Sequence, residues 1–181
     1  MKRLFTGIAV DVAEAPKLVE RVDTLRVPQG DLRWSERGGW HVTLQFYGMV
    51  DAAREERLRA QLRRLEAGAV EVILRGIGTF ERAGVLWAGV DLTEDLEELQ
   101  RRVVALGEGC GFAREERAYR PHVTLARRKG RGGSWEFKKG WGMDVGLEFG
   151  TFLAREFVLY ESVAGPDGSR YEVLERYALK G

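Results

Sequence analysis

A chain of 181 residues with 44% apolar and 31% charged side chains suits one compact domain over residues 1–181, or two small lobes sharing an interface, and argues against disorder. No run of about 18 uncharged apolar residues is present to cross a bilayer, and the start Met1-Lys2-Arg3-Leu4-Phe5 soon meets Asp11 and Glu14, so a cytoplasmic protein without membrane contact is expected. A monomer is expected, although nothing in the sequence fixes the oligomeric state. The net charge of +1 gives no global attraction for nucleic acid, and anion binding must come from a local cluster such as Arg120, Arg127, Arg128, Lys129 and Arg131.

In chain order, Leu4 to Val10 reads as a strand, and Pro16 with Leu18, Val19, Val22 and Leu25 as a helix with an apolar face. Leu32 to Trp34 reads as a short strand, and Trp40 to Tyr47 as a second strand ending at Gly48. Asp51 can cap a helix carrying Leu58, Leu62 and Leu65, with Gly68 as its stop. Val70 to Leu74 and Val85 to Val90 follow as strands, with Gly76-Ile77-Gly78 expected in the turn between them. Thr93 can cap a helix whose buried stripe is Leu96, Leu99, Val103 and Leu106, with Glu97–Arg101 and Glu98–Arg102 paired on its surface. Arg120 to Ala126 reads as a strand, and the basic, glycine-rich stretch 127–141 mostly as loop. Phe152 to Ser162 and Arg170 to Leu179 are expected to form a hairpin about Gly165-Pro166-Asp167-Gly168. Several of these connections are too short for a crossover helix, so antiparallel pairing is required and the fold class is α+β.

The chain has only two histidines, and each opens the same tetrapeptide, His41-Val42-Thr43-Leu44 and His122-Val123-Thr124-Leu125. At about 6% matching per position, agreement of all three following residues has a chance on the order of 2 in 10,000. Side chains alternate along a strand, so each copy presents an imidazole and a hydroxyl on one face, about 6.6 Å apart. Two such strands would surround a phosphodiester with two imidazoles and two hydroxyls. Cleavage by water needs one proton removed from the nucleophile and one delivered to the departing sugar oxygen, and two imidazoles titrating near neutrality suit both tasks. The hydroxyls of Thr43 and Thr124 can donate to the non-bridging oxygens where charge develops.

Other chemistries lack their parts. Two histidines and the single Cys110 do not make the usual zinc sites, and no EF-hand loop, Walker motif or nucleophile elbow occurs. Gly76-Ile77-Gly78 lacks the third glycine of a dinucleotide loop. Neither a metal ion nor an organic cofactor is expected.

The paired motifs, the opening Arg3-Leu4-Phe5, the segments His41 to Gly48, Val85 to Val90 and Pro121 to Arg127, and the ending from Leu159 to Leu174 together resemble the two-histidine phosphoesterases. The likeness is to the RNA 2′,3′-cyclic phosphodiesterases, also called 2′-5′ RNA ligases. It implies a bilobal fold with pseudo-twofold symmetry, outer helices and an open central cleft, acting without metal on RNA ends that bear 2′,3′-cyclic phosphate. By the same resemblance His41 is the proton donor to the leaving 3′ oxygen and His122 the proton acceptor from water; identical copies do not order themselves. Arg127 matches a basic position that follows the second motif and could hold a flanking phosphate, and Tyr47 could stack a base because strand parity puts it on the His41 face. Trp40 and Phe46 are expected in the core. Gln45 stands where a lysine is frequent in the family, which puts a phosphate contact there in doubt. Ligation at the same site, and an RNA-end binding module without turnover, are the alternative readings.

Overall fold

The computed structural model describes residues 1–26, 32–130, 145–165 and 168–180. In chain order it comprises β1 (Lys2–Ala9), α1 (Pro16–Leu25), β2 (Leu32–Trp34), β3 (His41–Val50), α2 (Ala52–Leu62), β4 (Val70–Phe80), β5 (Val85–Val90), α3 (Glu94–Gly109), β6 (His122–Arg128), β7 (Glu148–Ala154), β8 (Glu156–Gly165) and β9 (Gly168–Ala178). Among the described residues every strand pairing is antiparallel, which confirms the α+β class.

The strands lie in the order β7-β4-β5-β6-β3-β1-β8-β9, with β2 beside β6. The two halves of this sheet meet where β3 and β6 pair through Val42 and Val123. Helix α1 starts at Pro16 without a side-chain cap, whereas α2 and α3 each begin behind a capping side chain. Asp51 accepts the Arg54 N–H at 2.9 Å to start α2, and Thr93 accepts that of Leu96 at 3.3 Å to start α3. Leu18 and Val22 of α1, Leu58 and Leu62 of α2, and Leu96, Leu99 and Val103 of α3 share one core with Leu4, Ile8, Val42, Leu44, Val123 and Leu125 of the sheet. That burial, about 1.5–3 kcal/mol for each large apolar side chain, covers one face of the sheet. The opposite face carries both histidines.

Four expectations need correction. The predicted strand from Phe152 to Ser162 is two strands separated at Arg155: β7 pairs with β4, whereas β8 pairs with β1 and β9. Gly76 to Gly78 lie inside β4 rather than in a turn, because β4 continues to Phe80 through a register shift and Gly76, at φ 71°, supplies the backbone that the shift needs. Arg127 and Arg128 belong to β6 rather than to a loop; Arg131 lies outside the described residues. On α3, Arg101 and Arg102 both pair with Glu98, which leaves Glu97 out of the predicted pairing with Arg101.

Candidate active site

Antiparallel pairing of Val42 with Val123 sets His41 opposite Thr124 and Thr43 opposite His122. Directly opposed residues have Cβ atoms about 4.5–5.5 Å apart. The four polar side chains predicted from the motifs are thus gathered on one sheet face around a local twofold axis, each half-buried, while Val42, Leu44, Val123 and Leu125 fill the core behind them.

The two imidazoles are oriented by the same device. His41 Nδ1 is 2.7 Å from the Gly39 carbonyl oxygen, and His122 Nδ1 is 2.7 Å from the Arg120 carbonyl oxygen, in each case two residues upstream. A carbonyl only accepts, so Nδ1 carries the proton in both rings and Nε2 is left for another group.

The surroundings differ. His41 packs among Phe5 at 4.7 Å, Tyr171 edge-on at 4.7 Å and Tyr160 at 5.8 Å between ring centroids. This burial holds its pKa down at about 4, against the pull of the Gly39 hydrogen bond, with the charges of His122 and Arg127 adding to the lowering. His122 is more open, with Phe80 edge-on at 5.0 Å, and its pKa is lowered by burial and by Arg127. Two glycines allow close approaches beside the motif strands. A Cβ on Gly7 would meet the Val42 carbonyl oxygen at 2.8 Å and the His41 ring at 3.5 Å, and one on Gly78 would meet the Trp87 indole at 2.3 Å.

Both motif strands carry a bulge immediately after the threonine. On β3 the register passes from Gly7 opposite Thr43 to Thr6 opposite Gln45, leaving Leu44 as the extra residue. On β6 it passes from Trp87 opposite Thr124 to Leu86 opposite Ala126, leaving Leu125 extra. A bulge reverses the alternation beyond it. Leu44 and Gln45 are therefore buried in succession, as are Leu125 and Ala126, and the next residues on the histidine face are Phe46 and Arg127.

That reversal overturns the aromatic assignment. Tyr47 is 7% exposed, stands 3.2 Å from the Thr6 hydroxyl and packs 5.0 Å from Phe112, so it is a core residue and not a stacking platform. Phe46, expected in the core, is 62% exposed and sits 5.6 Å from Phe5. Trp40 is buried as expected. Gln45 faces the core, against Gly107 of α3, and is thereby removed from the histidine face. Arg127 lies near enough to depress both imidazoles. Among the described residues no three metal-ligating side chains come together, and no helix is long and apolar enough to cross a membrane.

The sequence reading missed Phe5, Tyr160 and Tyr171 around His41, Phe80 beside His122, and Trp87 opposite Thr124. Parity does place Phe5 two residues before Gly7 on one face of β1, but only the pairing of β1 with β8 and of β8 with β9 brings the two tyrosines there.

The profile of the 2′-5′ RNA ligase superfamily matches residues 14–136. An RNA 2′,3′-cyclic phosphodiesterase of Methanothermobacter thermautotrophicus is 31% identical over 95% of this chain and 97% of its own length. A protein of the same description from Methanocaldococcus jannaschii is 29% identical over 97% and 99%. Among solved structures, Escherichia coli LigT complexed with 3′-AMP superposes with a TM-score of 0.82 at 24% identity, covering 99% of each chain, and shares the fold.

Proposed function

Because the chain belongs to the 2′-5′ RNA ligase superfamily, we propose that it hydrolyses RNA terminal 2′,3′-cyclic phosphate to a 2′-phosphomonoester, with His41 and His122 as a metal-independent acid–base pair. The observation that carries this reading is the pair of Nε2 atoms left unengaged by matching Nδ1 hydrogen bonds, on adjacent antiparallel strands that share one face. The cyclic-phosphodiesterase description of the two archaeal relatives, each matched over nearly its whole length, supports the substrate class.

In the reaction, His122 takes a proton from water as the water oxygen bonds to phosphorus. The bond from phosphorus to the 3′ oxygen breaks, and His41 delivers a proton to that oxygen, leaving a 3′ hydroxyl and a 2′ phosphate. Thr43 and Thr124, each opposite the other strand's histidine, donate to the non-bridging oxygens. The family's name favours a second use of the same site, in which an RNA 5′ hydroxyl replaces water and a 2′-5′ linkage forms.

The test is incubation of purified, EDTA-treated protein with an oligonucleotide ending in 2′,3′-cyclic phosphate, followed by mapping of the product phosphate. A 2′-phosphate formed at an undiminished rate is expected. Activity restored only by a divalent ion, a 3′-phosphate product, or binding without turnover would overturn the reading.

A further inference from the structure

Beyond Thr124 the histidine face carries an arrangement that the proton transfers do not use. β2 pairs antiparallel with β6, with Leu32 opposite Arg128, Arg33 opposite Arg127 and Trp34 opposite Ala126. Opposed residues of an antiparallel pair point to the same side. Leu32 is buried and Trp34 packs against the core, so Arg33 projects to the other side, exposed and beside Arg127 on the histidine face.

Like charges directly opposite each other destabilise a sheet. Among the described residues no carboxylate lies within ion-pair distance of either guanidinium. The Arg33 side chain is also held from the far half of the sheet. Gly168, which opens β9 at φ 128°, lies against it so closely that a Cβ there would come within 3.1 Å of Arg33 Nε and 3.3 Å of its Cδ. Two arginine side chains set opposite each other by the strand register, one of them lying against Gly168, suit an anion that bridges them, since each offers a planar fork of donors to phosphate oxygens.

Position fixes which phosphate. The bulge at Leu125 makes Arg127 the first residue after Thr124 to return to the histidine face, three residues away and hence within about 10 Å along the strand. The corresponding place after Thr43 holds Phe46, which has no charge. The positive pair therefore lies to one side of the reacting centre only.

We propose that Arg33 and Arg127 form a second phosphate subsite, which takes the phosphodiester next along the RNA strand from the cyclic phosphate and makes the protein select polynucleotide ends over cyclic mononucleotides. The subsite rests on the cyclic-phosphodiesterase reading for the identity of the reacting group, and Arg33 is its specificity determinant.

The experiment compares wild type, Arg33→Gln and a charge control, Lys17→Gln on the exposed side of α1, with a cyclic-phosphate-terminated pentanucleotide and the matching 2′,3′-cyclic mononucleotide. Arg33→Gln is expected to reduce the oligonucleotide-to-mononucleotide ratio of kcat/KM at least about 10-fold, mainly through KM, and to flatten the log–log salt dependence for the oligonucleotide by about one phosphate contact. Lys17→Gln is expected to leave the ratio as it is. An unchanged ratio in Arg33→Gln, or an equal loss on both substrates, would overturn the subsite. Should wild type turn over neither substrate, the phosphodiesterase reading fails separately. Fluorescence anisotropy with a 3′-phosphorylated pentanucleotide then decides the subsite: binding weakened at least about 10-fold by Arg33→Gln sustains it, and equal binding removes it.

Discussion

The His41 and His122 half-sites are built from the same tetrapeptide, the same carbonyl acceptor two residues upstream and the same bulge after the threonine, yet they present different environments. His41 is enclosed by Phe5, Tyr160 and Tyr171, whereas His122 has Phe80 at its edge and is the more open. On the neighbouring strands, Gly7 stands opposite Thr43 but Trp87 stands opposite Thr124. Backbone symmetry thus orients two imidazoles alike, and the unequal walls give them different surroundings.

The largest break in the comparison comes from deleting either imidazole. His41→Ala and His122→Ala should each lower turnover by at least about 100-fold, the lower end of a general acid or base contribution. His41 packs against three aromatic rings, so His41→Ala should also lower the melting temperature more than His122→Ala does. Circular dichroism melts alongside single-turnover assays separate the two effects. A wild-type rate in either variant would take that histidine out of the mechanism.

Smaller losses are expected from the hydroxyls. Thr43→Val and Thr124→Val keep the branched shape that suits a strand and remove a donor. On a face open to water each should cost roughly 10- to 100-fold in kcat, less than the histidine changes. Unchanged kinetics in both would reduce the threonines to strand formers.

Much of this site was legible before any coordinates, for a physical reason. Period-two alternation puts histidine and threonine on one face and valine and leucine on the other, and repetition of the pattern tied two distant segments to one task. The bulges were not legible, because nothing in Leu44-Gln45 or Leu125-Ala126 announces an extra residue in a strand; only the pairing register reveals it. That one-residue slip is what exchanged Tyr47 for Phe46. The break at Arg155 was hidden for a similar reason, since Phe152 to Ser162 has strand-forming residues throughout and only partner choice divides it. Arg33 escaped notice because its meaning lies in what stands opposite it, about 90 positions along the chain.

The titration of the pair sharpens the comparison further. The proposed acid–base mechanism needs one imidazole charged and the other neutral, and both folded-state pKa values lie below the ordinary 6.5, His41 at about 4. For the free enzyme, both rings are neutral above the higher of the two values and both charged below the lower. A bell-shaped kcat/KM profile is therefore expected with its descending limb below pH 6.5, and the limbs belong to the pair. In the substrate complex the phosphate's negative charge favours the imidazolium, so the descending limb of kcat should lie at higher pH than that of kcat/KM. Coincident limbs near pH 7 would show that burial does not set these values.

The finest test asks whether the aromatic enclosure itself holds His41 neutral. Tyr171 meets the His41 ring edge-on at 4.7 Å and also bears on Phe5 at 5.3 Å, so Tyr171→Ala should admit water to one side of the imidazole. Relief of desolvation raises a histidine's pKa, and the ascending acid limb of kcat/KM should move upward by about one pH unit. Phe80→Ala beside the more open His122 should move the profile less. Stability carries the same signature with a definite sign. His41 binds its proton at about 4 when folded and near 6.5 when unfolded, so between these values the unfolded chain holds more protons. Wild-type stability should accordingly fall as pH drops from 6.5 toward 4, by up to about 3 kcal/mol from this group, and Tyr171→Ala should flatten that slope while lowering stability overall. Denaturant melts across the window measure both. An acid limb and a stability slope unmoved by Tyr171→Ala would mean that the sheet beneath His41, rather than the ring beside it, keeps the imidazole uncharged.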